Sequence, residues 1–105
     1  MVSTEIESIV KQYLSVLNDT GLKIDHAYIY GSCARGENGE DSDIDLMLVS
    51  DIFDTDDDRI LSRPWVYTAD VDHRLEPVSV GTVRFNTDTS SPLIGMVKRD
   101  GIEIV

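Results

Sequence analysis

The 105-residue chain has one cysteine, Cys33. No internal disulfide can form, and cysteine usage leaves the redox compartment open. Basic residues are scarce: nine Lys and Arg stand against twenty Asp and Glu, for a formal charge of −11. A field of that sign repels a bare phosphate backbone and argues against generic nucleic-acid binding. A nucleotide carried with a metal ion is a different case, because the cation neutralises part of both charges. A basic protein partner would also be drawn in. No apolar run approaches the ~18–20 residues that span a bilayer. The opening MVSTEIES has neither the basic start nor the apolar core of a signal peptide, so a cytoplasmic protein is expected. GxGxxG is absent, and so is a Walker A lysine, which sets Rossmann and P-loop folds aside. There are no repeats, low-complexity tracts or linkers. Length and a hydrophobic content of 41% suit one compact domain over residues 1–105.

Hydrophobic spacing gives the elements. Ile6, Ile9, Val10, Tyr13, Leu14 and Leu17 recur at steps of three and four, which predicts a helix over Thr4 to Leu17. Thr4 with Glu7 fits a capping box, and Gly21 a stop. Ile24 to Tyr30 reads as a strand ended by Gly31, followed by a helical turn at Cys33-Ala34-Arg35 and a polar loop over Gly36 to Ser42. Ile44 to Val49 is a second strand. Its LMLV is apolar on both sides, as in a strand covered on both faces. After an acidic loop, Asp51 to Asp58, a helix bent by Pro64 is predicted to bury Ile60, Leu61, Trp65 and Val66. Arg74 to Val80 reads as a third strand, with Pro77 marking an edge or bulge. Ser91-Pro92 opens a short helix that buries Leu93, Ile94 and Val97 and stops at Gly101, before an extended Ile102 to Val105. The predicted class is a small α/β (α+β) mixed sheet with helices packed on one side.

The chemistry gathers in GSCARGENGEDSDIDL, residues 31–46. Residues i and i+2 of a strand point to one face, with Cα atoms ~6.5–7 Å apart. Asp43 and Asp45 can therefore converge. Two ionised carboxylates so close need a cation, or one pKa rises. Mg²⁺ is the natural compensation, since it takes one or two protein carboxylates plus substrate phosphates. The bland reading, a strand cap beside an exposed acid, is the commoner one for a bare DxD. Gly31 and Ser32 change the balance. Small residues let phosphate oxygens approach, and backbone N–H groups supply donors. Two-metal phosphoryl chemistry calls for a third acid. Glu76, set among Leu75, Pro77 and Val78, is the candidate, and Asp72 is its rival.

Other signals are set aside. DTDDD (Asp54, Asp56, Asp57, Asp58) has Arg59 where a calcium loop needs Gly and Trp65 where it needs Glu, so it reads as a solvated charge run. Cys33 lacks the His and Asn of a thiol nucleophile, and His26 and His73 are unpaired in sequence.

Gly31-Ser32, ten residues, then Asp43-Ile44-Asp45 resembles the signature of the DNA polymerase beta-like nucleotidyltransferase superfamily. It is most similar to the minimal nucleotidyltransferases (MNT) often found beside HEPN-domain proteins. Arg35-Gly36 and Ser42 match the common form, and DHRLEPV and SPLIGMVKRDGIEIV extend the likeness over most of the chain. The resemblance implies a twisted mixed sheet. It implies two Mg²⁺ (or Mn²⁺) ions held by Asp43, Asp45 and Glu76, with Gly31, Ser32 and Arg35 toward the phosphates of ATP. Many members carry Asp at the third position, where this chain has Glu76 followed by Pro77. The implied activity is AMP transfer to a hydroxyl, a tyrosine of a small helical HEPN-type toxin, with this chain as antitoxin in a homo- or hetero-oligomer. The alternative is a non-catalytic module of the same fold that silences a partner by contact.

Overall fold

The computed structural model describes residues 2–105. Helix α1 (Thr4–Asp19) buries Ile6, Val10, Tyr13 and Leu17 along one stripe. Its cap is Ser3, not Thr4: the Ser3 hydroxyl accepts the Ile6 N–H at 3.2 Å. Adjacent hydroxyl residues offer the same chemistry, and the one with extended backbone takes the role. The helix runs two residues past Leu17, and Gly21 turns the chain out at φ 88°.

One sheet of four strands has the order β3-β2-β1-β4. β1 (His26–Tyr30) is antiparallel to β2 (Ile44–Ser50), and β2 is parallel to β3 (Leu75–Gly81). The two-residue β4 (Ile102–Glu103) pairs antiparallel with β1 at the far edge. β1 starts two residues later than the apolar pattern predicts, although Asp25 N–H still bonds Val49 O. Pro77 lies on an edge strand, as its missing N–H requires.

Alternation along the strands makes two cores. Ala27, Ile29, Leu46, Leu48 and Leu75 pack with α1. Tyr30, Met47, Val49 and Val80 pack on the other face with Phe85 of α5 (Thr82–Thr87) and Ile94 and Val97 of α6 (Pro92–Asp100). The expected mixed sheet with helical cover is therefore found. The helices occupy both faces rather than one, because a strand apolar on both sides must be covered twice. Each of the buried apolar β2 side chains contributes about 1.5–3 kcal/mol.

Residues 58–66 depart from expectation. They form two one-turn helices, α3 (Asp58–Leu61) and α4 (Arg63–Val66), and leave Trp65 and Val66 52% and 68% exposed. Pro64 is buried instead, and its carbonyl accepts the buried Tyr13 hydroxyl of α1. A proline near the start of α4 is compatible with that turn but not with a helix continuing through it. The break re-aims the side chains that follow.

Candidate active site

The end of β1 and the start of β2 meet because the two strands are antiparallel neighbours. Tyr30 is the register partner of Asp45. Between them the chain makes the one-turn helix α2 (Ser32–Arg35) and the 36–43 loop. Gly31 has φ 73° and ψ −150°, a conformation open almost only to glycine. A Cβ there would stand 2.5 Å from Asp45 Oδ2. The glycine thus lets the carboxylate lie against the turn. Cys33 Sγ donates to the Asp43 carbonyl at 3.4 Å and ties α2 to the first aspartate. Burial, then the charge of Asp45, pushes the Cys33 thiol up, which fits a packing role.

The parallel pairing of β2 and β3 sets Glu76 opposite Asp45. Neighbouring strands lie ~4.8 Å apart, so the two side chains are adjacent on one face. Asp43 lies just before β2, and its charge reaches both Asp45 and Glu76. Asp45 and Glu76 sense the acids beside them. Burial first, then Asp43, raises the Asp45 carboxyl. Burial, then Asp43 and Asp45, raises Glu76. Tyr30, beneath them on the same face, is pushed up to about 12 by burial, Asp45 and Glu76 in that order. Among the described residues, no cationic side chain pairs with any of the three acids.

An all-carboxylate donor set of this kind fits a hard divalent cation such as Mg²⁺ or Mn²⁺. It is a face of donors rather than a closed cage. Among the described residues, no three His, Cys, Asp or Glu side chains are close enough together to form a ready metal site. The three carboxylates therefore do not close on a single point as the DxD spacing alone suggests.

The rival third acid is engaged elsewhere. Asp72 makes a two-pronged pair with Arg74, at 3.1 Å to Nε and 3.0 Å to Nη2, and Arg74 holds its carboxyl below the usual range. The pair is enclosed, with side chains 16% and 13% exposed. Arg74 Nη1 also donates to Glu40 O at 2.7 Å, and its carbonyl accepts Ile44 N–H. It thereby fastens the loop leading into Asp43. Arg35, expected toward phosphate, pairs with Glu37 at 3.0 Å on the surface. Ser32 opens α2 directly after Gly31. Tyr30 and Arg74 escape a reading of the motif alone. Strand alternation could have placed Tyr30 on the face of Asp45, had the register been known.

Other proteins share this architecture. The family profile of Polymerase beta nucleotidyltransferases matches residues 5–105. No curated protein matches. Two solved structures resemble the fold. A proposed nucleotidyltransferase from Sulfolobus solfataricus aligns at 15% identity and TM-score 0.64, over 94% of this chain and 78% of that one. A toxin-antitoxin structure with AMP-PNP aligns at 21% identity and TM-score 0.65, over 94% of this chain and 72% of the other. At these identities the likeness speaks for the fold, and the profile match over nearly the whole length speaks for descent. The chain belongs to the Polymerase beta nucleotidyltransferase family.

Proposed function

We propose that the protein transfers a nucleoside monophosphate, AMP from ATP, to a hydroxyl on a partner protein. In this reading it is the antitoxin of a cytoplasmic pair, and a tyrosine of a small helical HEPN-type protein is the acceptor. The single observation that carries the proposal is the register pair Asp45–Glu76, with the charge of Asp43 reaching both and Gly31 pressed against Asp45. The family match and the AMP-PNP-bound toxin-antitoxin relative support it.

Asp43, Asp45 and Glu76 would hold the divalent ions, which supply charge neutralisation for the attacking and leaving oxygens. The chain's own residues do the rest. Gly31 and Ser32 receive the triphosphate at a turn where backbone donors are free of side-chain bulk. The acceptor oxygen bonds to the α-phosphorus, the bond to the β-phosphate's bridging oxygen breaks, and pyrophosphate leaves. Glu76 takes the acceptor's proton. Tyr30 stays a neutral phenol beneath the acids and keeps water out.

The test is mass spectrometry of the partner protein co-expressed with this chain. Added AMP that disappears with Asp43→Ala is the expected result. A partner that is bound and silenced yet unmodified would replace this reading with the contact-only module.

A further inference from the structure

The acidic run after β2 rims a cleft. This opening of about 700 Å³ lies where β2 and β3 end, at Ser50 and Gly81. It is five residues along β2 from Asp45, ~17 Å at strand spacing, so it is separate from the carboxylate site. Phe53, Leu61 and Val83 give it apolar walls, and Asp54 and Asp56 stand at its mouth. Val83 is 62% exposed.

The rim is built, not merely acidic. The Asp54 carboxylate accepts Val83 N–H at 3.2 Å and so fixes α5 to the acidic segment. It fits there because Gly81 has no side chain: a Cβ would overlap it. Exposed Asp51, Asp56 and Asp58 add negative charge. Arg84 also lines the cleft, but its guanidinium is paired with Asp88, as that of Arg59 is with Asp57. The cleft thus sets the exposed side chain of Val83 beside an acidic rim over a floor of buried Phe53.

Charge decides among occupants. Nucleic acid and anionic membranes are repelled by this rim and by a chain of net charge −11. We infer that the cleft formed by Phe53, Leu61, Val83, Asp54 and Asp56 docks a basic amphipathic helix of a partner protein. Apolar side chains of that helix fill the space beside Val83, and its lysines or arginines meet Asp54 and Asp56. Docked at this end of the sheet, the partner leaves Asp43, Asp45 and Glu76 open. The inference does not depend on the transferase reading, since a contact-only module needs the same surface.

The test is a titration of the ¹⁵N-labelled full chain with synthetic peptides of about 18 residues, five helical turns. One is a Leu/Lys amphipathic helix, the second carries Glu in place of Lys, and the third scrambles the first. The Leu/Lys helix is expected to shift the amides of Phe53, Asp54, Val83 and Arg84, and the other two are not. Val83→Lys and Asp56→Lys should each weaken binding about tenfold or more. Both positions are exposed, and unchanged spectra elsewhere verify that each variant is folded. Equal binding of the scrambled peptide, shifts centred on Trp65 and Val66, or full affinity in Val83→Lys would each overturn the inference. So would sedimentation showing a dimer of this chain that Val83→Lys disperses, since the occupant would then be a second copy.

Discussion

Replacing Gly31 by alanine tests whether the turn and Asp45 are physically interlocked. Two costs add. The backbone at φ 73°, ψ −150° is a region that costs a residue with a Cβ about 1–3 kcal/mol. The new Cβ would also sit 2.5 Å from Asp45 Oδ2, well inside contact distance. Asp45 must leave its rotamer, for about 0.5–1.5 kcal/mol more. The expected loss is about 1.5–4.5 kcal/mol, read as a lower urea midpoint with an unchanged slope. Gly21 is the control. It also has positive φ, 88°, but nothing lies within 4 Å of its Cβ position, so Gly21→Ala should show only the backbone cost. A double-mutant cycle isolates the overlap: Gly31→Ala should cost less when Asp45 is already alanine. Strictly additive effects, or a Gly31→Ala no worse than Gly21→Ala, would refute the interlock.

Three further outcomes are expected. Arg74→Ala should lose about 2–3 kcal/mol, between the ~0–1 of an exposed pair and the ~3–5 of a buried one. Because Arg74 lowers the Asp72 carboxyl, the pair's contribution is complete above the ordinary value near ~3.9 and vanishes as pH falls through the lowered one. The gap between urea melts of the variant and the parent should therefore narrow in acid, down to the part owed to the Glu40 carbonyl. Asp45→Asn should be more stable than the parent at neutral pH in chelator-containing buffer. The native Asp45 carboxyl is raised, so its penalty is complete above the raised value and fades as pH falls toward the ordinary one. Melts at two pH values check the sign. Ultraviolet titration should show one phenol, absent in Tyr30→Phe, ionising at about 12. The stability that Tyr30 contributes by staying neutral should be lost as pH climbs from its ordinary 10.0 through that value.

The fold was legible where one physical signal dominated. The α1 stripe and the doubly apolar β2 announce themselves, because buried faces demand those spacings. Trp65 and Val66 mislead, because a hydrophobic pattern says nothing about which side of a proline break faces the core. Helix α5 went unread, since TVRFNT offers a single buried residue, Phe85. At the site, Gly31, Asp43 and Asp45 belong to one short sequence motif and could be read together. The choice between Glu76 and Asp72 could not be made from sequence. It depends on the parallel register, which sets Glu76 beside Asp45, and on Arg74, which engages Asp72. Arg35 matched the motif, yet its side chain takes the local acid Glu37. A motif fixes where a residue lies along the chain, not which neighbour its side chain selects.

The central claim is that Asp43, Asp45 and Glu76 act as one metal centre for nucleotidyl transfer. It is tested most directly by crystals of the protein grown with Mn²⁺ and a non-hydrolysable ATP analogue, using anomalous scattering to locate the metal. The account predicts manganese bound by Asp43, Asp45 and Glu76, with the triphosphate against Gly31 and Ser32, and no manganese there in Asp45→Asn. Manganese bound by Asp72, or a nucleotide seated away from Gly31 with these three carboxylates unliganded, would contradict it.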